Sequence, residues 1–338
     1  MKRLFQLLIF LFLLSSCTSG KKEYYDVDMT NVHYGRLRMS SLCSGIEILP
    51  LAGGPENEAP LALSKMSVTA YGYLFLDSEG RIISYGPDGR YASHIKYQYP
   101  FEDYSVYKDR TVDAFGNNHL LEYDLKDFTL TRATQLTNHD ASFYGIMRCM
   151  DNLIALSGCK DGIACQGEYY TDTGRFYIIK YPVPTLTNDI SLTMSSSCWF
   201  RSAGQTYLFF ANTGDIWYRG LFSSPQYRWR YKGYEPGPAD FKNVQMTQKK
   251  IYSAFLKDEK PHLLVFDRFK EKVIVMRGTH ECVDFPLGVI RDNVNYYCCH
   301  SRDLADFTVP SLMHKDDLKR LDSLKRTDCN VIIKYILR

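Results

Sequence analysis

The chain has 338 residues, with 41 Lys and Arg against 38 Asp and Glu, a formal net charge of +3. So even a balance gives no electrostatic reason to expect nucleic acid as a partner, and none is expected. The length supplies one large domain or two small ones, and 26 Tyr and 19 Phe favour strands over helices.

Lys2 and Arg3 precede an apolar run from Leu4 to Leu14, broken only by Gln6. This is a signal-peptide core, shorter than the roughly 20 residues that span a bilayer. Residues 1–16 are therefore read as a signal peptide. Leu14-Ser15-Ser16-Cys17 resembles a bacterial lipobox. That resemblance implies cleavage before Cys17, a diacylglycerol on its thiol and a membrane partner reached through the lipid. Two acyl chains bury enough CH₂ groups, at about 0.8 kcal/mol each, for stable anchoring. Residues 17–39 are expected to be a polar tether, and 40–338 one domain.

From residue 71 onward the chain repeats itself. The segments 71–95, 110–134, 206–231 and 250–276 each read as strand, polar turn, strand with an aromatic, turn, strand. Asp77-Ser78-Glu79-Gly80, Gly116-Asn117-Asn118 and Asn212-Thr213-Gly214 carry the residues that tight turns need. The aligned aromatics are Tyr85, Tyr123, Tyr218 and Phe266, and residues 142–158 with 175–181 fill the longer gap between the second and third. A sixth unit can be built from 280–290 and 293–299, completed by a strand from one end of the chain. An all-strand period of about 40 to 50 residues is the mark of a propeller blade, and the expected fold is an all-β, six-bladed β-propeller. VIIKYIL, 331–337, is the expected closing strand.

Ahead of that strand, KDDLKRLDSLKR (315–326) places Leu318, Leu321 and Leu324 at every third position. Asp316 and Asp317 come early and Lys325 and Arg326 late, as the helix dipole favours. A short helix covering core with its leucines is expected.

The lipobox, the repeats and the tail DLKRLDSLKRTDCNVIIKYIL resemble the six-bladed β-propeller lipoproteins of Bacteroidetes. TYLFFANTGDIWYRG is similar to that family's aromatic-strand motif, and YEPGPADF to its turn between blades, with Pro-Gly-Pro in place of Gly-Pro-Gly. The resemblance implies fold, anchoring and a place in the cell envelope at the outer membrane. It carries no catalytic residues.

No motif supplies chemistry. There is no HExxH, GxSxG or glycine-rich phosphate loop, so no metal, cofactor or catalytic residue is assigned. Setting Cys17 aside leaves nine cysteines, with Cys159 and Cys165 bracketing KDGIA and vicinal Cys298-Cys299 not far from Cys282, read as structural or free thiols. Asp77, Asp113, Asp215 and Asp267 recur near turns. They are weighed as turn residues against a glycosidase-like carboxylate pair. Trp217, Tyr227, Trp229 and Tyr231, with Arg219, Arg228 and Arg230, are weighed as blade packing against a stacking surface for sugars or peptides. The expected function is a binding or interaction module for a glycan, peptide or envelope protein. A channel-based glycan hydrolase or lyase is the alternative.

Overall fold

A computed structural model of the protein describes residues 25–28, 34–55, 62–137, 140–161, 163–180, 197–202, 205–210, 216–218, 226–232, 241–257 and 260–338. Its strands form six sheets of four or five strands, numbered I to VI here in chain order. Sheet I takes Leu63–Thr69, Gly72–Asp77, Ile82–Tyr85 and Tyr91–Ile95. Sheet II takes Asp103–Tyr107, Thr111–Gly116, His119–Asp124 and Leu130–Gln135, and sheet III takes Ala141–Met150, Leu153–Lys160, Ile163–Tyr170 and Arg175–Lys180. Sheet IV has Ser197–Ser202, Gln205–Phe210, Ile216–Tyr218 and Gln226–Lys232, and sheet V has Phe241–Met246, Lys250–Lys257, Lys260–Asp267 and Lys272–Thr279. Sheet VI begins with Val289–Arg291 and Val294–His300, continues with Asn330–Leu337 and ends with Cys43–Pro50.

Consecutive strands pair antiparallel, and the first strands touch in sequence, I to II and onward, with VI touching I again. Twisted meander sheets arranged radially about an axis make a β-propeller. The core lies between neighbouring sheets. Leu74, Leu76 and Ile82 of sheet I pack on Tyr104, Val112 and Leu121 of sheet II. Phe115 and Leu120 of II pack on Phe143, Ile146 and Ile154 of III. A second strand therefore has both faces covered, and Gly72–Asp77 is buried at every position instead of alternating. The aligned aromatics Tyr85, Tyr123, Tyr218 and Phe266 all fall on third strands, so the repeat seen in the sequence is one position of the blade.

Sheet VI joins the two ends of the chain. Asn330–Leu337 pairs Val294–His300 on one side and Cys43–Pro50 on the other, with Ile333 opposite Ile48. Val331, Ile332, Ile333 and Tyr335 are wholly buried. The expected closing segment is thus an interior strand, and the outermost strand comes from the N-terminal side.

Two expectations are corrected. The stretch 17–39, read as a tether, contains two strands: Tyr25–Asp28 pairs parallel with the outer strand of sheet IV, and Tyr34–Leu37 with that of sheet V. The helix forms at Lys315–Leu324, with the His314 side chain accepting from Asp316 N at its start. Its leucines do not share one fate, since Leu321 is 4% exposed and Leu318 is 43% exposed. Three-residue spacing drifts around a 3.6-residue turn, so such a stripe leaves the buried face within two turns.

Candidate functional site

In an antiparallel meander the connections alternate between the two ends of the strands. Loops leading into first strands and the second-to-third turns share one face, called upper here. First-to-second and third-to-fourth turns share the other, lower face. The first strands surround the axis between them.

Charges on the axis bind one another. Lys65 of sheet I donates to Asp103 Oδ1 of sheet II and to the Tyr104 carbonyl, each at 2.6 Å, while Asp103 Oδ2 accepts from Ile146 N of sheet III at 2.9 Å. One carboxylate thus ties three consecutive sheets. On the lower face Arg291 of sheet VI grips Asp109, in the first turn of sheet II, through two bonds of 2.9 and 2.6 Å. The same guanidinium donates to the Val68 carbonyl at 2.6 Å, and Ala70 N donates to Asp109. The pair therefore spans sheet I, and Arg291 holds the Asp109 carboxyl below the usual carboxylate range.

Between sheets II and III lies a buried ion cluster. Arg148 donates through Nε to Asp113 Oδ2 at 2.8 Å, through one terminal nitrogen to Asp113 Oδ1 and Glu122, and through the other to the Asp151 carbonyl at 2.9 Å. Arg148 is 4% exposed and Asp113 fully buried. Burial pushes the Asp113 carboxyl up, and the hydrogen bonds and charge of Arg148 act against it.

The sequence-derived acids do not converge. Asp77, at an upper turn, accepts from Glu79 N and Arg81 N and pairs with the Arg81 side chain. Asp267, at a lower turn, accepts from Phe269 N and Lys270 N. Asp113 is on a second strand inside the ion cluster, and Asp215 lies outside the described residues. A glycosidase arrangement needs two carboxyl groups about 5 to 9.5 Å apart around one bond, and acids on opposite faces cannot supply it. Two acids outside that set, Asp284 and Asp306, also act on each other. Asp284 is raised by burial and then by the charge of Asp306, to whose carbonyl Asp284 N donates. Both are exposed.

Cys17 lies outside the described residues. Cys43, Cys282, Cys298, Cys299 and Cys329 are free thiols, and Cys159 and Cys165 lie on neighbouring strands of sheet III, Cys159 with the Tyr144 hydroxyl 3.9 Å from its sulfur. Among the described residues no group of His, Cys, Asp and Glu is placed to hold a metal ion, and no helix is long and apolar enough to cross a membrane. The aromatic and basic blade is present as backbone, with Trp217 opposite Tyr227. Its side chains, and Arg219 entirely, lie outside the described residues.

The upper face carries a different aromatic group. The loop from sheet I into sheet II, KYQYPF at 96–101, brings Tyr97 and Tyr99 to His119, which follows the second turn of sheet II. An alternation of aromatic and polar residues ending in Pro was its signal, and it reads equally as a strand.

No family model matches the chain, and no curated protein matches it. Among solved structures it is similar to a Bacteroides fragilis protein named as exported, with a TM-score of 0.66 at 12% identity over 93% of this chain and 100% of that one. It is also similar to the β-propeller domain of Cps50 (Swd1) from Myceliophteria thermophila, at 0.49 and 8% identity over 86% and 100%. Virginiamycin B lyase from Staphylococcus aureus matches at 0.47 and 13% identity over 72% and 77%. At 12% identity the likeness to the Bacteroides fragilis protein is one of fold alone.

Proposed function

We propose that this chain is a lipid-anchored propeller of the cell envelope, each of its six sheets one blade, acting as a binding module without chemistry of its own. The observation that carries the reading is the state of the axial charges. Asp103 is held by Lys65 and Ile146 N, and Asp109 by Arg291. A general base needs a carboxylate free to take a proton and a pKa near the working pH. A carboxylate clamped by a guanidinium, with its pKa lowered, has neither property. What remains at the faces is a rigid frame carrying loops, the usual arrangement for recognition. The six-blade count is supported by the cyclic contact of the first strands, and anchoring at the outer membrane by the run from Leu4 to Cys17.

The test is a screen of the purified mature protein against oligosaccharides, peptides and envelope proteins, scored for both retention and product. Saturable retention without product is expected. Turnover that disappears when Asp284 or Asp306 is replaced by Asn would overturn the reading in favour of an enzyme.

A further inference from the structure

We propose that Tyr97, Tyr99 and His119 form a stacking subsite for one neutral pyranose unit of an oligosaccharide. This rests on the binding reading and names its ligand class. The rings make a corner. Tyr97 and Tyr99 meet at 62° with centroids 6.2 Å apart, and His119 lies 5.4 Å from Tyr99 and 5.9 Å from Tyr97. Tyr99 is 37% exposed. Tyr97 is backed by Phe101, stacked at 16°, and Phe101 in turn by Tyr123 edge-on. The corner is thus the outer layer of a packed aromatic column.

The loop that carries it is fixed in place. Phe101 N donates to Gly80 O at 2.9 Å, Glu102 N to Phe115 O at 2.8 Å, and Asn117 N to the Glu102 carboxylate at 3.2 Å. A Cβ at Gly80 would come within 2.5 Å of Pro100 Cβ, and one at Gly116 within 2.3 Å of the Pro100 carbonyl. Two turns from different sheets are therefore glycine where the loop passes between them. Holding large exposed rings still before a ligand arrives lowers the ordering cost of binding.

The polar groups fit hydroxyls. His119 Nδ1 lies 2.8 Å from the Asn117 carbonyl. A carbonyl only accepts, so Nδ1 is the donor and Nε2 of the neutral ring is an acceptor. Two phenolic hydroxyls both donate and accept. A pyranose offers a C–H face to a ring and hydroxyls at its rim, so it satisfies a corner of this kind with ring and edge together. The loop carries one charge of each sign, Lys96 and Glu102, the latter accepting from Asn117 N, so it has no net charge with which to select an ionised sugar over a neutral one. Proline-rich peptides dock along aromatic-lined grooves, and rings crossing at 62° present a corner for one unit.

The experiment titrates the mature protein with neutral hexasaccharides (malto-, cello-, xylo-, manno- and chito-series) and with a decaproline peptide, following tyrosine fluorescence and ligand-side saturation transfer. One saccharide series is expected to bind saturably. Tyr97→Ala and Tyr99→Ala should each weaken it roughly three- to tenfold, Tyr99→Phe should retain most of the affinity, and Tyr71→Ala on the lower face should change nothing. Circular dichroism establishes that each variant is folded. Absence of binding in every series, binding indifferent to Tyr97 and Tyr99, or decaproline binding in place of sugar overturns the proposal. Retention of a protein or peptide elsewhere would leave the binding module standing without this subsite. Product formation on a retained sugar would remove the module reading and leave the tyrosine effect to be judged on affinity.

Discussion

Asp317 accepts a hydrogen bond from Ile48 N at 3.2 Å, and Arg320, one helical turn on, donates to the Ile48 carbonyl at 2.5 Å while pairing with Asp317. Ile48 belongs to the outermost strand of sheet VI. Its outward N–H and C=O would otherwise stand open as a template for another chain. An ion pair at i, i+3 on the C-terminal helix supplies one donor and one acceptor and stands in for a neighbouring strand.

Removing that cap should therefore uncover an edge. Asp317→Ala, which leaves a buried N–H without its acceptor, is expected to cost about 1–2 kcal/mol, read as a lower urea midpoint. With Arg320→Ala added, light scattering on gentle warming should rise before global unfolding. A double variant with unchanged midpoint and no scattering would show that the helix is not protecting the edge.

The Arg148 cluster makes a sharper demand. Arg148→Met leaves Asp113 and Glu122 facing each other without a cation, and should cost about 3–5 kcal/mol. Adding Asp113→Leu ought to restore a large part of that loss, because the unpaired buried charge is then gone. Urea denaturation of the wild type, both single variants and the double variant closes the cycle. A double variant no better than Arg148→Met alone would contradict the account.

For Asp109 and Arg291 the signature is in pH. The folded carboxyl titrates below its unfolded value, so its contribution is present in full above about pH 5 and disappears as the pH falls through the depressed folded value. The pair is partly exposed, which limits it to about 1 kcal/mol. The stability gap between wild type and Asp109→Asn should be constant from pH 7 to 5 and shrink progressively as the pH falls below the unfolded carboxyl value of about 4. A gap that widens on acidification would reverse the assignment.

Burial pushes the Cys43 thiol up to about 11 and those of Cys298 and Cys299 up to about 12. Thiolate is the reactive form, so at neutral pH these three should resist alkylation until the protein unfolds. Exposed Cys282 should be modified first. Mass mapping after iodoacetamide pulses in 0 and 8 M urea checks the order.

Cys17 is tested by its mass. The N-terminal peptide should begin at residue 17 and carry a thioether diacylglycerol, and Cys17→Ala should leave an unlipidated precursor. An unmodified N-terminus elsewhere would remove the anchor.

Shape was legible in the sequence where each residue repeats a position of the blade. Tyr85, Tyr123, Tyr218 and Phe266 stand on third strands, and Tyr85, Tyr123 and Phe266 are buried there between neighbouring sheets, where large apolar groups are needed. The N-terminal strands were not legible. YDVD and YGRL are short, and they are ordered by the edges of sheets IV and V rather than by their own pattern. Asp317 was read as a dipole residue because its partner, Ile48, is 269 positions away. The upper aromatic corner shared this difficulty: Tyr97 and His119 meet only because one loop passes between the turns of two sheets.

The mixed parentage of sheet VI also sets an order of assembly. Ser44 donates to the carbonyl of Ile336, 292 residues further on, so an early segment of the chain must wait for nearly the last one. Sheets I, II and III are contiguous and can form as they are made, whereas the ring stays open until Asn330–Leu337 exists. Contacts of such separation carry a large loop-closure cost, so ring closure is expected late in folding, with the edge of Cys43–Pro50 unpaired in the interval. A chain halted before residue 330 would remain an open arc with that edge available to other copies.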